Sequence, residues 1–150
     1  MARYSASGSQ NLASSAITAL TIAAQSTAHQ NRVYDINIGN VGAPADLVTL
    51  HTIQRITAVG TAGSSVTPAL LDLADRASQS AAGENHSSEP TYTANTELLE
   101  LPLNHRALFR WAAAPDGYIV TPATNNSGIG AKALHASATT EWRVGFMWEE

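Results

Sequence analysis

Cysteine is absent from the 150 residues, which excludes disulfides, thiolate metal sites and thiol nucleophiles together. Charge is also scarce: Asp, Glu, Lys and Arg make up 13% of the chain, about half the ~25% of an ordinary soluble domain. Lysine occurs once, at Lys132, and the formal net charge is −4. That removes the basic excess from which a nucleic-acid binder draws its phosphate contacts. No apolar run approaches the ~20 residues of a membrane-spanning helix. The one segment resembling a secretion signal, Ala16–Ala24 behind Arg3, is interrupted by Thr18 and Thr21, and its β-branched residues suit a strand instead. Neither a nucleic acid nor a membrane is therefore expected as a partner. Hydrophobic residues still amount to 44%, too many for a charge-rich disordered chain. The length fits a single domain, 1–150.

What remains leans toward strands. Thr, Val, Ile and aromatics recur in short runs separated by Gly, Pro, Asn and Asp. Strands are expected at Ala16–Ala24, Asn31–Ile38, Leu47–Val59, Thr91–Leu101, His105–Ala113, Tyr118–Thr121 and Ile129–Ala136. Leu47–Val59 is apolar on both faces, so it reads as central, bent or bulged. Pro102 places the end of its segment at a sheet edge or break, and Pro115-Asp116-Gly117 predicts a hairpin turn. In the tail, Trp142, Val144, Phe146 and Trp148 alternate with Arg143, Gly145 and Met147, the strongest core signal in the chain. The expected fold is all-β, a β-sandwich of jelly-roll type. Two irregular parts complete it. Met1–Asn11, rich in Ser, Ala and Gly, reads as an extended N-terminal arm. Residues 60–90 read as one long loop, holding a short helix near Ala69–Ala77 behind the Thr67-Pro68 start signal.

Chemistry is harder to find. His29, His51, His86, His105 and His135 are scattered without the close spacings of a preformed metal pair, so no metal and no cofactor is expected. Glu84, His86 and Glu89 cluster in the long loop, where a carboxylate–imidazole–carboxylate set suits either acid–base work or a protein contact. Ser64 lacks the surroundings of a nucleophile elbow, and Gly128-x-Gly130-x-Lys132 lacks the spacing of a phosphate loop. No catalytic residue is assigned, and the chain is not expected to be an enzyme. Trp111, Trp142 and Trp148 suit a sandwich core better than a sugar-stacking face. Arg106 and Arg110 lie on the strand face opposite Phe109, where arginine suits either solvent or a subunit contact.

Several strings have a familiar look: Arg32-Val33-Tyr34-Asp35-Ile36, the stretch Gln54–Gly63, and Glu89-Pro90-Thr91-Tyr92-Thr93-Ala94-Asn95. With Phe109-Arg110-Trp111, Pro122-Ala123-Thr124 and Gly128-Ile129-Gly130, the chain resembles jelly-roll decoration (cement) proteins of tailed bacteriophages, from Arg3-Tyr4 onward. The resemblance implies a homotrimer on the virion surface, made in the host cytoplasm, that locks neighbouring copies of the major capsid protein together. On that reading Arg3 and Tyr4 are contacts of the arm, Glu84, His86 and Glu89 are loop contacts to a neighbour, and Arg106 and Arg110 belong to the trimer contact. The rival readings are a virion fibre tip or carbohydrate-binding module using surface aromatics, and a small β-barrel metalloenzyme using the histidines.

Overall fold

A computed structural model describes residues 1–150, and it contains strands but no helix. In chain order these are β1 (Arg3–Asn11), β2 (Ile17–Ala24), β3 (Arg32–Asn40), β4 (Val48–Ala58), β5 (Thr61–Val66) and β6 (Ala69–Leu70). They continue with β7 (Ser80–Ser88), β8 (Thr91–Asn104), β9 (Phe109–Ala112), β10 (Ile119–Val120), β11 (Gly128–Leu134) and β12 (Glu141–Glu149). One sheet runs β10-β3-β12-β1-β6, with β9 beside β10 on the same edge of β3; the other runs β5-β7-β2-β11-β4-β8. All pairings are antiparallel.

Set β5–β7 aside as an insertion and treat β9 and β10 as one interrupted strand. Eight strands then remain, four to a sheet, in the orders β9/β10-β3-β12-β1 and β2-β11-β4-β8. Successive strands alternate between the sheets except at β4 to β8, which is the connectivity of a jelly roll. The sandwich expected from the sequence is therefore the fold.

The two inner faces meet in one core. Trp142, Val144, Phe146 and Trp148 all point inward and are at most 1% exposed. They pack with Tyr4, Ile36 and Ile38 of their own sheet and with Leu20, Ile22, Ile53 and Ile129 of the other. Fully burying one such side chain stabilises by about 1.5–3 kcal/mol, so this alternation is what selects the inward face. The bulge expected in Leu47–Val59 is present, since β4 shifts register against β8 beyond Ile53. Pro102 lies on β8, an edge strand, as its missing donor requires.

Four expectations need correction. Met1–Asn11 is not an arm: Arg3–Asn11 pairs along its whole length with β12, from Arg3↔Glu149 to Asn11↔Glu141. Its small residues reflect crowding instead of mobility. Tyr4, Ala6 and Gly8 face inward, and a Cβ at Gly8 would stand 2.6 Å from the Ala19 carbonyl oxygen and 2.9 Å from Glu84 Cβ.

Residues 60–90 are not a long loop, because they supply β5, β6 and β7. Polar Ser80–Ser88 hid its strand character by contributing only Ala82 to the core. The Ala69–Ala77 helix does not form either. The backbone there is captured by the free edge of β1, through Tyr4↔Leu70, Ser5↔Ala69 and the Leu71 N–H on the Arg3 carbonyl; so short a helix has little stability of its own. Finally, β9 and β10 do not form a hairpin. The turn at Pro115-Asp116-Gly117 exists, with Asp116 at φ 63°, but both strands pair with β3.

The insertion has a further effect. β4 runs into β5 through Gly60 (φ 66°), and β7 runs into β8 through Glu89-Pro90. The β4·β8 pair lies at one edge of its sheet and β5·β7 at the other, so the ribbon they form crosses the outer face. The crossing is tight. Tyr92 lies over Gly130, where a Cβ would stand 2.7 Å from its hydroxyl, and Lys132 Nζ sits 4.5 Å from the ring centroid.

Candidate functional site

Most of the candidate residues, several histidines included, fall in three places. Tyr4 is in none of them: it is fully buried, its ring 5.8 Å from that of Trp148 and its hydroxyl donating to the Arg76 carbonyl at 2.9 Å. It is a core residue and cannot serve as an arm contact.

The first place is the crossing over the outer face of the β2–β11 sheet, which gathers His86 and Glu89, while Glu84 faces inward opposite Leu20, toward Gly8 of β1. Glu84 accepts the Ser9 N–H at 3.1 Å, tying β7 to β1. Glu89 accepts the Thr18 N–H at 3.2 Å and the Thr18 hydroxyl as well. It thereby caps β2 where β7 has turned away. Tyr92 completes the cluster with its hydroxyl 2.6 Å from Thr18 Oγ1, and burial raises its pKa. His86 is 6% exposed, with Nε2 3.3 Å from Thr21 Oγ1, and burial lowers its pKa. It is therefore a packed, neutral ring and not a surface contact on a loop. Both carboxylates are occupied by the backbone of their own chain.

The second place is one end of the core, where three of the histidines approach each other. His51 packs edge-on to Trp142 at 4.8 Å, and His105 edge-on to His135 at 5.5 Å. His105 bonds Thr49 through Nε2, and His135 Nδ1 accepts the N–H groups of Ser137 and Ala138. Neither ring nitrogen of His51 has a partner, and burial, helped by nearby His105, lowers its pKa to about 4. The rings meet edge-on, and no three His, Asp or Glu residues form a set able to hold a metal ion.

The third place is a groove on the outer face of the β3–β12–β1 sheet, of about 540 Å³. It brings Arg3 and Arg110 together with Tyr34, Asp35, Tyr118 and Glu149. A bulge makes it possible. Asp35 pairs with Met147 and Val33 with Trp148, so Tyr34 is the extra residue and turns to the same face as Asp35. From β9, Arg110 reaches back to Asp35 through Nε and Nη2, both on the one carboxylate. The Asp35 side chain is 6% exposed and that of Arg110 68% exposed, so the acid is fixed and the guanidinium lies open. The hydrogen bond to Asp35 raises the pKa of Arg110, and burial raises that of Tyr34. Residues 112–115 form the wall, held by the Ala113 N–H on the Tyr34 carbonyl at 2.8 Å.

Arg106 is elsewhere. It lies in the turn after β8, with Nε 3.4 Å from the Pro44 carbonyl, in a separate hollow beside Gly39 and Leu108. The two arginines therefore do not form one patch. Sequence reasoning missed Tyr34, Asp35, Tyr118 and Glu149 as members of the groove. An acid on a strand, Asp35, was the available signal, but its partner is 75 residues away. No family model, no curated protein and no solved structure matches the chain.

Proposed function

We propose that the chain is a structural virion protein that decorates the outer surface of a tailed-phage capsid, bridging capsid subunits as a homotrimer. The observation that carries this reading is a group of uncovered apolar side chains at one end of the sandwich. Val48 is 58% exposed, Leu134 45% and Leu50 41%, and Leu50 and Leu134 are directly paired between β4 and β11. Leu47 adjoins them, and the Leu47 carbonyl holds the His105 N–H next to exposed Arg106. An uncovered group of large apolar side chains is the composition of the centre of a protein contact. Low overall charge adds to this, because a contact made by apolar burial withstands salt that would screen surface ion pairs. The resemblance to jelly-roll decoration proteins names the kind of neighbour, and a many-copy lattice multiplies weak single contacts.

The test is co-sedimentation of the purified protein with purified capsids that lack it, alongside light scattering of the free protein. A trimer that binds capsids with little loss in high salt, and delays their rupture, supports the reading. Leu50→Glu should abolish attachment or trimer formation while leaving the fold intact. A monomer indifferent to capsids overturns it.

A further inference from the structure

The groove beside β3 leaves unsatisfied the groups that a small ligand would use. Of the four tyrosines, Tyr4 and Tyr92 have their hydroxyls bonded inside the protein, to the Arg76 carbonyl and to Thr18. Tyr34 and Tyr118 are the other two, and both line the groove half-buried. Half-burial fixes a ring while leaving part of its face open for stacking. Arg110 is already oriented: Asp35 occupies Nε and Nη2, and the Nη1 group stays free. Arg3 makes neither of the chain's two ion pairs, and Glu149 offers a carboxylate acceptor.

Charge decides the ligand class. Arg3 and Arg110 are balanced by Asp35 and Glu149, so the groove carries no surplus to hold a phosphate or a cation. Two flat rings, a pre-oriented guanidinium with Nη1 free and an acceptor, with no net charge, complement a neutral molecule bearing many hydroxyls and apolar ring faces. A volume of about 540 Å³ falls within the range of small-ligand sites. The bulge that turns Tyr34 and Asp35 to one face is a device found beside such sites.

We propose that this groove binds a neutral glycan, with sugar rings laid against Tyr34 and Tyr118 and adjacent hydroxyls bonded to Arg110 and Glu149. The proposal does not rest on the capsid reading, since the groove and the apolar end patch share no residue.

The experiment is NMR titration of the full chain with glucose, galactose, mannose, N-acetylglucosamine and disaccharides of each, with inorganic phosphate as comparator. At least one neutral saccharide should shift the ring resonances of Tyr34 and Tyr118 saturably. Tyr118→Ala and Arg110→Lys should each weaken that binding by about tenfold or more, and Ser87→Ala, on the other sheet, should leave it unchanged. Arg110→Lys keeps the charge and loses the fork, so it tests the geometry even if Tyr118→Ala disturbs its turn. The proposal fails if no saccharide shifts those rings, if phosphate alone does so, or if binding survives both substitutions undiminished. Binding by phosphate alone would identify an anion site; silence from the whole panel would leave the groove to a protein side chain.

Discussion

On the outer face of the β2–β11 sheet, Glu89, Thr18, Tyr92, Thr21 and His86 bond to one another or to nearby backbone. On the outer face of the β3–β12–β1 sheet, Arg3, Tyr34, Tyr118 and Glu149 face an open groove with only the Asp35–Arg110 pair formed. Residue types are similar in the two places, and the covering differs. The β5–β7 insertion lies across the first face and engages its polar groups, whereas nothing in the chain crosses the second. Cluster composition therefore does not mark a site; what matters is whether the chain folds back over it.

That contrast can be broken or sharpened by measurement. If polar groups held inside the chain carry stability and those of the groove do not, acid should act first through the buried histidine. His51 titrates near 4 in the folded chain against 6.5 unfolded. The unfolded state then binds the proton first as pH falls through this window. Stability should be complete above pH 6.5 and decline toward pH 4, by about 3 kcal/mol from this residue. His86 and His105, also lowered, contribute in the same direction. Urea unfolding across this range should flatten in His51→Phe, which fills the site without an ionisable ring; an unchanged pH slope would mean the loss arises elsewhere.

Glu89→Ala should come next, costing about 2 kcal/mol, because it leaves the Thr18 N–H and hydroxyl without their acceptor. Faster amide exchange at Thr18 would locate the damage at the crossing. Tyr92→Phe removes one hydroxyl contact and keeps the ring over Gly130, so about 1 kcal/mol is expected in the same assay. Arg3→Ala should be smallest, within about 0.5 kcal/mol, since that side chain is exposed and unpaired. A larger loss at Arg3 than at Glu89 would reverse the comparison.

How much of this was legible depended on what each residue buries. Trp142, Val144, Phe146 and Trp148 announced their strand because large apolar groups at period two have one inward solution. Ala6 and Gly8 carried the same period and read as a mobile arm, because the reason for Gly8 is a distant backbone carbonyl 2.6 Å from where its Cβ would be. β7 was missed because its alternation is written in Ser, Gly, Glu and Asn. Arg110 stood out by opposing Phe109, yet its groove depends on a one-residue bulge at Tyr34 and on the register of β1, β12 and β3. Those are long-range facts that no local window contains.

The position of β12 between β3 and β1 has a consequence for synthesis. Until that strand leaves the ribosome, both of its neighbours wait with unpaired backbone, and Tyr4 and Ile36 have no Trp148 or Phe146 to meet. A chain interrupted before β12 would expose two adhesive edges where a complete one has none at that place. Truncated copies should therefore aggregate or be degraded, so that only chains carrying β12 persist as folded protein.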